Sequence, residues 1–531
     1  MFKFIIELSV KFRWFVVLAT ALVAAYGLLE LTRLPIDAVP DITNRQVQVT
    51  TVAPALAPEQ IERQVTYPIE TAMAGIPGLT TTRSLSRNGF SQVTVIFTDQ
   101  TDIYFARQQV AERLAGAREA MPDGVEPTMA PITTGLGEVL MWTIDYKPFN
   151  SQNLAKPGEP GWQAGGAYLT PEGDLLSTPQ QRATYLRTVQ DWIVAPQMRT
   201  APGLAGVDTV GGYVKEYAVR PDAARLSAYG LGMGDLIQAL DRANTQAGAG
   251  YIQRAGEALT VRTDALASTV EDLAQAPVVN RNGLIVRVAD VATVEIGQAP
   301  RLGGASRDGH EAVLGTALMI AGGNSRTVAQ AAGERLDEVR KTLPAGIEAV
   351  TVLDRSALVN STISTVARNL TEGALLVIVV LFLLLGNIRA ASITALMIPI
   401  SFLFAVIGMN RFGISGNLMS LGALDFGLLV DGAVIVVEST LLMLSQRRID
   451  LGRALTRRER LDVAVAAARK MVKPAAFGQL IILLVFTPLL MLEGVEGKTF
   501  VPMGATVMLA LVGAFIFSFT FVPAMTALLV R

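Results

Sequence analysis

The sequence contains no cysteine and a single histidine, His310. A chain without cysteine forms neither disulfides nor thiolate metal sites, and one histidine excludes a site built from several imidazoles. Any metal ion held by this chain alone therefore needs mainly oxygen ligands. Charged residues are also scarce, at 17% of the total, whereas 51% of the 531 residues are hydrophobic. This composition is too apolar for a purely soluble protein and indicates a membrane protein.

The first long apolar run extends from Trp14 to Leu31 and follows Lys3, Lys11 and Arg13. At about 1.5 Å per helical residue it spans roughly 27 Å, which is enough to cross a bilayer. A cleaved signal peptide has the same basic start, apolar middle and small residues. The pattern alone leaves both interpretations open, and either one delivers the following segment to the far side of the membrane.

Residues 34–367 contain no apolar run long enough to span a bilayer, so we expect one large extramembrane region. Its first part predicts a strand, a helix, two strands, a helix and a strand, from the alternation and helical periodicity of the apolar residues. The predicted segments are 45–52, 58–75, 81–86, 90–97, 102–121 and 129–132. This β-α-β-β-α-β order is typical of a ferredoxin-like unit.

A looser second copy of this unit begins at residues 138–145 and ends with a strand near 312–320, a helix over 325–342 and a strand over 347–353. Two stretches separate its halves. The first, 147–178, is rich in Gly, Pro and Gln and predicts an extended loop. The second, about 187–276, alternates amphipathic helices with Gly-rich turns and indicates a small inserted domain.

After residue 367 the hydropathy rises, and with the first run the chain has six predicted membrane helices. The five later ones lie near 370–388, 391–409, 414–445, 474–492 and 501–530. The segment between the fourth and fifth helices, 445–473, holds nine Lys or Arg and three Asp or Glu, which by the positive-inside rule makes it cytoplasmic. Counting helices back from it places the large region outside the cytoplasm.

The fourth predicted helix contains DFGLLVDGAVIVVES, in which Asp425, Asp431 and Glu438 interrupt an apolar span. A charge at bilayer depth costs at least about 2.5 to 3.5 kcal/mol, so three carboxylates require a reason. At about 100° per residue Asp431 and Glu438 lie within roughly 20° of each other, and Asp425 lies about 120° away. We expect a buried proton relay centred on Asp431. In the alternative, Asp425 and Glu438 lie near wetter helix ends and only balance charges on neighbouring helices.

Two other patterns resemble functional sites more weakly. His310 lies in the turn-like segment RDGHEA, where an exposed loop histidine is expected rather than a metal ligand. The tripeptide 497–499, Gly-Lys-Thr, imitates the end of a phosphate-binding loop, but the earlier glycine of that motif is missing. We therefore predict no nucleotide site, and a proton gradient as the energy source.

The acidic helix resembles the fourth membrane helix of the RND superfamily, in the heavy-metal efflux branch that includes the cobalt-zinc-cadmium exporters. That branch carries DFG-x-x-x-DGA and a later Glu, matched here by residues 425–427, 431–433 and 438. The multidrug branch usually has two adjacent Asp where this chain has Asp431 and Gly432, and the copper and silver branch typically lacks the first Asp. LPIDAVPDIT, TDIYFARQQVAERL, GLGEV and GNIRAASITALMIPIS also match, so the resemblance covers essentially the whole chain.

The resemblance implies an α-helical membrane bundle of six helices and a large α+β periplasmic region of ferredoxin-like porter subdomains with an inserted docking domain. It also favours a retained first helix over a signal peptide. The implied divisions are a first helix at 1–36, a first porter subdomain at 37–136, a second at 137–186 and 277–355, a docking domain at 187–276, and helices two to six at 356–531 with a cytoplasmic loop at 446–473.

Family members are about twice this length, so the resemblance implies that this chain is an amino-terminal half. The second half normally supplies a basic partner for the acidic trio and most of the metal-binding cleft. Glu138, in GLGEV, matches a carboxylate that relatives use near a periplasmic metal site, although a solvated Glu at a strand end fits the pattern equally well.

The resulting hypothesis is a proton-driven exporter of divalent cations of the Zn, Co, Cd and Ni class, a secondary transporter and not an enzyme. It works in the bacterial inner membrane without a cofactor, the metal being its substrate. The resemblance implies a homotrimer bound to a periplasmic adaptor and an outer-membrane channel, with no nucleic-acid partner. The alternatives are a multidrug or copper and silver exporter, or a non-transporting receptor or assembly protein of the same architecture.

Overall fold

The structure is a computed structural model that describes the chain except residues 1, 38, 55, 151, 246, 255, 256, 264, 265, 282, 302, 425 and 531. It begins with two helices, α1 (Phe2–Lys11) and α2 (Arg13–Arg33). The apolar run predicted from Trp14 lies in α2, which is followed by an extended connection to the soluble region.

The first soluble unit is a four-stranded antiparallel sheet with helices on one side. Its elements are β1 (Gln46–Val52), α3 (Pro58–Ile61), α4 (Tyr67–Met73), β2 (Leu79–Arg87), β3 (Phe90–Phe97), α5 (Ile103–Arg118) and β4 (Pro127–Met129). The strands lie in the order β2-β3-β1-β4. Alternate residues of β1 point into the core, so Val47 and Val49 are buried. The element order is the one that the sequence predicts, but β4 ends at Met129 and not near residue 132.

The second unit starts with one long strand and continues through a segment that the sequence predicts to be a loop. Its elements are β5 (Glu138–Tyr146), β6 (Gly161–Trp162), β7 (Tyr168–Leu169), β8 (Leu175–Leu176), α6 (Pro179–Val189), α7 (Ala195–Met198) and β9 (Leu204–Val210). Strands β6, β7 and β8 form a small sheet of two-residue strands. Tyr146, Trp162 and Tyr168 hold this segment on the unit, with ring centroids 4.7 to 5.9 Å apart.

A third group of elements follows. It comprises β10 (Lys215–Pro221), α8 (Ala223–Ala228), α9 (Met233–Ala243), β11 (Ala247–Arg254), β12 (Glu257–Thr263), α10 (Val270–Gln275), β13 (Pro277–Arg281), β14 (Leu284–Arg287), α11 (Val288–Val291) and β15 (Ala292–Gln298). The pairs β10–β15 and β13–β14 contribute to a small core that includes Leu226, Leu236 and Val288, and β11 pairs with β12.

The chain then returns to the second unit with β16 (Ala305–Arg307), β17 (His310–Met319), α12 (Ser325–Val339) and β18 (Ile347–Asp354). The sheet order is β16-β17-β5-β18, and β9 also pairs with β17. Residues 204–210 therefore belong to the second sheet, although the sequence-based boundary at 187 assigns them to the inserted region. The strand is hard to recognise from sequence because its residues, LAGVDTV, alternate weakly.

The membrane part contains α13 (Arg355–Leu385), α14 (Ile388–Phe412), α15 (Leu418–Gly422), α16 (Phe426–Leu451), α17 (Arg457–Val485), α18 (Gly494–Phe519) and α19 (Phe521–Leu529). Over the described residues, six helical stretches are long and apolar enough to cross a membrane. Helix α13 begins directly after β18, capped by Asp354, and is longer than predicted. The last predicted helix, 501–530, is divided at Thr520 into α18 and α19.

Glycines allow the helices α2, α14 and α18 to approach one another closely. A Cβ built on Gly27 of α2 would lie 2.8 Å from the Cβ of Leu403 on α14, and one built on Gly513 of α18 would lie 2.8 Å from the Phe404 ring. Small residues at such contacts are typical of membrane helices, whose association depends on van der Waals packing. The α2–α14–α18 seam is therefore tightly packed.

Candidate functional site

The acidic helix α16 has two different faces. Its buried residues include Leu429, Gly432 and Val436, and they face the rest of the bundle. Its exposed residues Asp431, Ile435, Glu438 and Leu442 recur every three or four positions and form one stripe, which we call the acidic face. Asp431 and Glu438 thus share a face, in agreement with the helical periodicity.

The expectation that these acids are buried is wrong for Asp431 and Glu438 within this chain, because both side chains are exposed. The reason is that α14, α17 and α18 all pack against α16 from the opposite side. Asp425 lies outside the described residues. Phe426, which begins α16, packs on α13, where a Cβ on Gly373 would lie 2.9 Å from the Phe426 ring.

Two polar residues on the buried side of α16 were missed by the reasoning from sequence. Gln479 of α17 and Ser518 of α18 both lie against Gly432, the residue next to Asp431. The available signal was an amide in the middle of the apolar run FGQLIILLV. Periodicity could not reveal its direction, because that depends on the rotation of α17 in the bundle.

Lys498, near the start of α18, connects the bundle to the first soluble unit. Its Nζ forms a 2.7 Å ion pair with Asp99 and donates to the carbonyl oxygen of Thr43 at 3.0 Å and to Asn44 Oδ1 at 3.1 Å. These groups border a cavity of about 890 Å³ between the two regions. The lysine of the Gly-Lys-Thr segment therefore has protein oxygens as its partners.

A second group of contacts joins the outer ends of α2 and α14 to the second unit. Asn410 Nδ2 donates to Glu30 Oε2 at 2.8 Å, and the hydroxyl of Ser325 donates to the Asp37 carboxylate. Burial raises the pKa of Asp37, although the Ser325 hydrogen bond and the charge of Arg355 oppose this increase. Together with the Lys498 contacts, these interactions form what we call the junction.

The soluble region holds the remaining predicted site residues. Glu138 is the first residue of β5 and is exposed. His310, the exposed first residue of β17, borders a cavity of about 570 Å³ that is also lined by Asp145. Within the described part of the chain, no group of three or more His, Asp or Glu residues is arranged to hold a metal ion. Neither residue is thus part of a complete metal site formed by the described residues.

The sequence and structure both match known proteins. The model of the AcrB/AcrD/AcrF family matches residues 5–531. The nickel-cobalt-cadmium resistance protein NccA of Alcaligenes xylosoxydans xylosoxydans is 54% identical over 100% of this chain and 49% of its own length. The cobalt-zinc-cadmium resistance protein CzcA of Cupriavidus metallidurans is 48% identical over 100% of this chain and 48% of its own.

A crystal structure of a heavy metal efflux pump superposes with a TM-score of 0.81 at 30% sequence identity, covering 99% of this chain and 48% of the other. The chain therefore spans about half the length of these relatives.

Proposed function

The chain belongs to the AcrB/AcrD/AcrF family, and from this membership we propose that it forms part of a proton-driven pump that exports divalent heavy-metal cations. The observation that carries the proposal is the acidic face, on which Asp431 and Glu438 lie about two turns apart along one side of an apolar helix. Carboxylates at bilayer depth are costly and are typical of proton pathways. The cargo class, Zn, Co, Cd or Ni, is supported by the resistance functions named for the relatives.

Asp431 is the central proton carrier in this proposal, and Asp425 and Glu438 assist it. An acidic face turned towards lipid would be unfavourable, so a further protein surface with a basic group has to cover it. Because the relatives are about twice as long, the second half of the pump is the natural source of that surface. Glu138 then contributes one oxygen ligand to a metal site that the second half completes.

We propose that the two soluble sheets are ferredoxin-like porter subdomains, which is supported by the strand order β2-β3-β1-β4 of the first. The docking domain lies between β9 and β16. Its start is best drawn after Val210, because β9 pairs with β17 of the second porter subdomain.

The proposed location is the bacterial inner membrane, with the soluble region in the periplasm and residues 446–473 in the cytoplasm. The basic composition of that loop supports this orientation. The proposed assembly is a homotrimer with a periplasmic adaptor and an outer-membrane channel. The metal is substrate, and no cofactor is proposed.

The proton role is tested by Asp431→Asn in the full pump, expressed in a metal-sensitive bacterium. We expect loss of zinc, cobalt, cadmium or nickel resistance with normal membrane levels of the protein. Asp450→Asn is the matched control, because it makes the same change at the exposed far end of α16. Normal export by the Asp431 variant would refute the mechanism.

Resistance profiling of the unmodified pump tests the cargo. We expect protection against divalent metals. Protection against organic compounds alone, or against copper and silver alone, would replace the cargo assignment and keep the fold. Activity that is insensitive to collapse of the proton gradient would favour a receptor or assembly role.

A further inference from the structure

The membrane bundle contains one place where several buried polar atoms have no hydrogen-bond partner among the described residues. Gln479 is 5% exposed and Ser518 is 0% exposed. The Gln479 Nε2 and Oε1 atoms and the Ser518 Oγ atom all lack a partner there. These two side chains come from neighbouring helices, α17 and α18, and meet at α16.

Both side chains are directed at Gly432. A Cβ built on this glycine would lie 2.7 Å from the Gln479 amide carbon and 2.9 Å from Ser518 Oγ. With about 1.5 Å from Cβ to Cα and 3.8 Å between successive Cα atoms, the amide carbon lies within about 8 Å of the Asp431 Cα. The amide therefore lies one residue along α16 from the Asp431 backbone, and water has to bridge the remaining distance to the Asp431 carboxyl group.

Two other buried hydroxyls in the bundle are satisfied within their helices, whereas Ser401 Oγ of α14 is a single atom without a partner among the described residues. Thr440 donates to the carbonyl oxygen of Val436, and Thr506 donates to that of Pro502, each within its own helix. A buried polar group left without a partner costs about 1 to 3 kcal/mol. Three such atoms on two side chains that meet at one glycine are therefore not explained by packing, since apolar side chains of similar size would avoid the cost.

Buried water binds where two to four polar groups converge, and Gln479 and Ser518 provide such groups beside Gly432. The Gln479 amide offers two donors and an acceptor, and the Ser518 hydroxyl offers one donor and accepts as well. A glycine is needed at position 432 because a Cβ there would clash with the Gln479 amide and with Ser518 Oγ.

We propose that Gln479 and Ser518 bind ordered water next to Gly432, and that this water exchanges protons with Asp431 around the edge of α16 at Gly432, where the buried face of the helix meets the acidic face. The inference rests on the proposed proton role of Asp431. In the exchange, the O–H bond of the protonated Asp431 breaks as a new O–H bond forms on the adjacent water molecule, which carries the positive charge onward. Gln479 and Ser518 position the water and themselves keep their protons.

The first experiment is a density map of the full pump at a resolution that shows ordered water. We expect a water molecule within about 3.2 Å of at least two of the three polar atoms. The double variant Gln479→Met, Ser518→Ala should lose that density and keep its fold, since Met has the same chain length as Gln and Ala is smaller than Ser. Absence of ordered water between Gln479, Ser518 and Gly432 in the unmodified pump would overturn the proposal.

The second experiment measures zinc-driven proton flux in proteoliposomes containing the same pump. The double variant should slow proton flux about tenfold and reduce the difference between rates in H₂O and D₂O. Thr506→Val is the matched control, because it removes a buried hydroxyl of α18 that bonds only within its helix, and it should leave the flux unchanged.

The outcomes separate this inference from the proposed function. If Asp431→Asn abolishes flux but the double variant transports at the normal rate, the proton relay stands and the water site is refuted. If Asp431→Asn transports normally, the proposed function itself fails, whatever the water density.

Discussion

The acidic face and the junction differ in the surroundings of their charged groups. On the acidic face, Asp431 and Glu438 are exposed at the outer surface of the bundle. At the junction, Lys498 has three protein oxygens as partners, and Glu30 and Asp37 each accept hydrogen bonds from neighbouring elements. Charged groups thus have protein partners where the bundle meets the soluble region, whereas Asp431 and Glu438 lie on an exposed face of the bundle.

This difference separates two tasks. A junction with satisfied charges fixes the soluble units on the helices, so that movement of one is passed to the other. An exposed acidic face can be covered by another protein surface. The protonation of its carboxylates then depends on the position of that surface. The following changes break or sharpen this distinction, from the largest expected effect to the smallest.

The largest effect is expected when the acidic face itself is obstructed. Ile435, which is 37% exposed, lies between Asp431 and Glu438. Ile435→Trp should lower metal transport by the full pump about a hundredfold, because misplacement of reacting groups by about 1 Å costs that much. Metal uptake into vesicles measures the loss.

Leu484→Trp is the control for this change, since Leu484 is 57% exposed on α17, away from the acids. It should transport at the normal rate. Equal tolerance of both tryptophans would mean that no protein surface covers the acidic face.

A smaller effect is expected in the tightly packed α2–α14–α18 seam. Gly27→Val forces a side chain into Leu403, whose Cβ and carbonyl oxygen both lie 2.8 Å from the position of the new Cβ. Overpacking of this kind costs about 1 to 3 kcal/mol, so the melting temperature of the full pump should fall. Gly478→Val is the control, because a Cβ there meets nothing within 4 Å. Similar melting temperatures for both variants would contradict the tight seam.

At the junction the expected energies are lower. Asp99 is 52% exposed and Lys498 is 18% exposed, so solvent screens their ion pair. A double-mutant cycle with Asp99→Asn and Lys498→Met should give a coupling energy of about 0.2 to 1 kcal/mol in unfolding of the full pump. Lys498→Met should cost more than Asp99→Asn, because it also removes the bonds to Thr43 and Asn44. Additive effects would exclude a direct interaction.

The smallest effect concerns Asp37. Burial raises its pKa in the folded protein above the ordinary value of 3.8. The folded state therefore binds this proton more tightly, and the resulting stability is complete below pH 3.8 and is lost as pH rises through the folded pKa. Asp37→Asn should flatten this part of the stability curve, measured by thermal unfolding between about pH 3.5 and 7. An unchanged slope would show that Asp37 does not titrate differently on folding.

Much of the fold could be predicted from the sequence because local patterns decide it. The alternation in residues 46–52 and 90–97 specifies half-buried strands, and long apolar runs specify the membrane helices. Thr520 illustrates the limit, since the apolar run continues across the division between α18 and α19, although Pro523, which cannot donate a helical hydrogen bond, follows three residues later. Strand β9 illustrates another, because its pairing with β17 joins residues about 100 positions apart.

The candidate site was predictable to a similar extent. The spacing of seven residues places Asp431 and Glu438 on one face whatever surrounds the helix. Whether that face is covered depends on which side of α16 the other helices pack against, and this is a property of the whole bundle. The same dependence concealed Gln479, whose partners are distant in sequence and adjacent only after the helices have packed.

Helix α13 connects the soluble region physically to the acidic helix α16. It runs without interruption for 31 residues from the end of β18, a length of about 46 Å, and contacts the start of the acidic helix where Phe426 meets Gly373. In a straight helix of this length, a small tilt at one end produces a large displacement at the other. A tilt of about 5° at its membrane end would displace its other end by about 4 Å. A change of packing too small to rearrange the bundle could thus open or close a metal-sized gap in the soluble region.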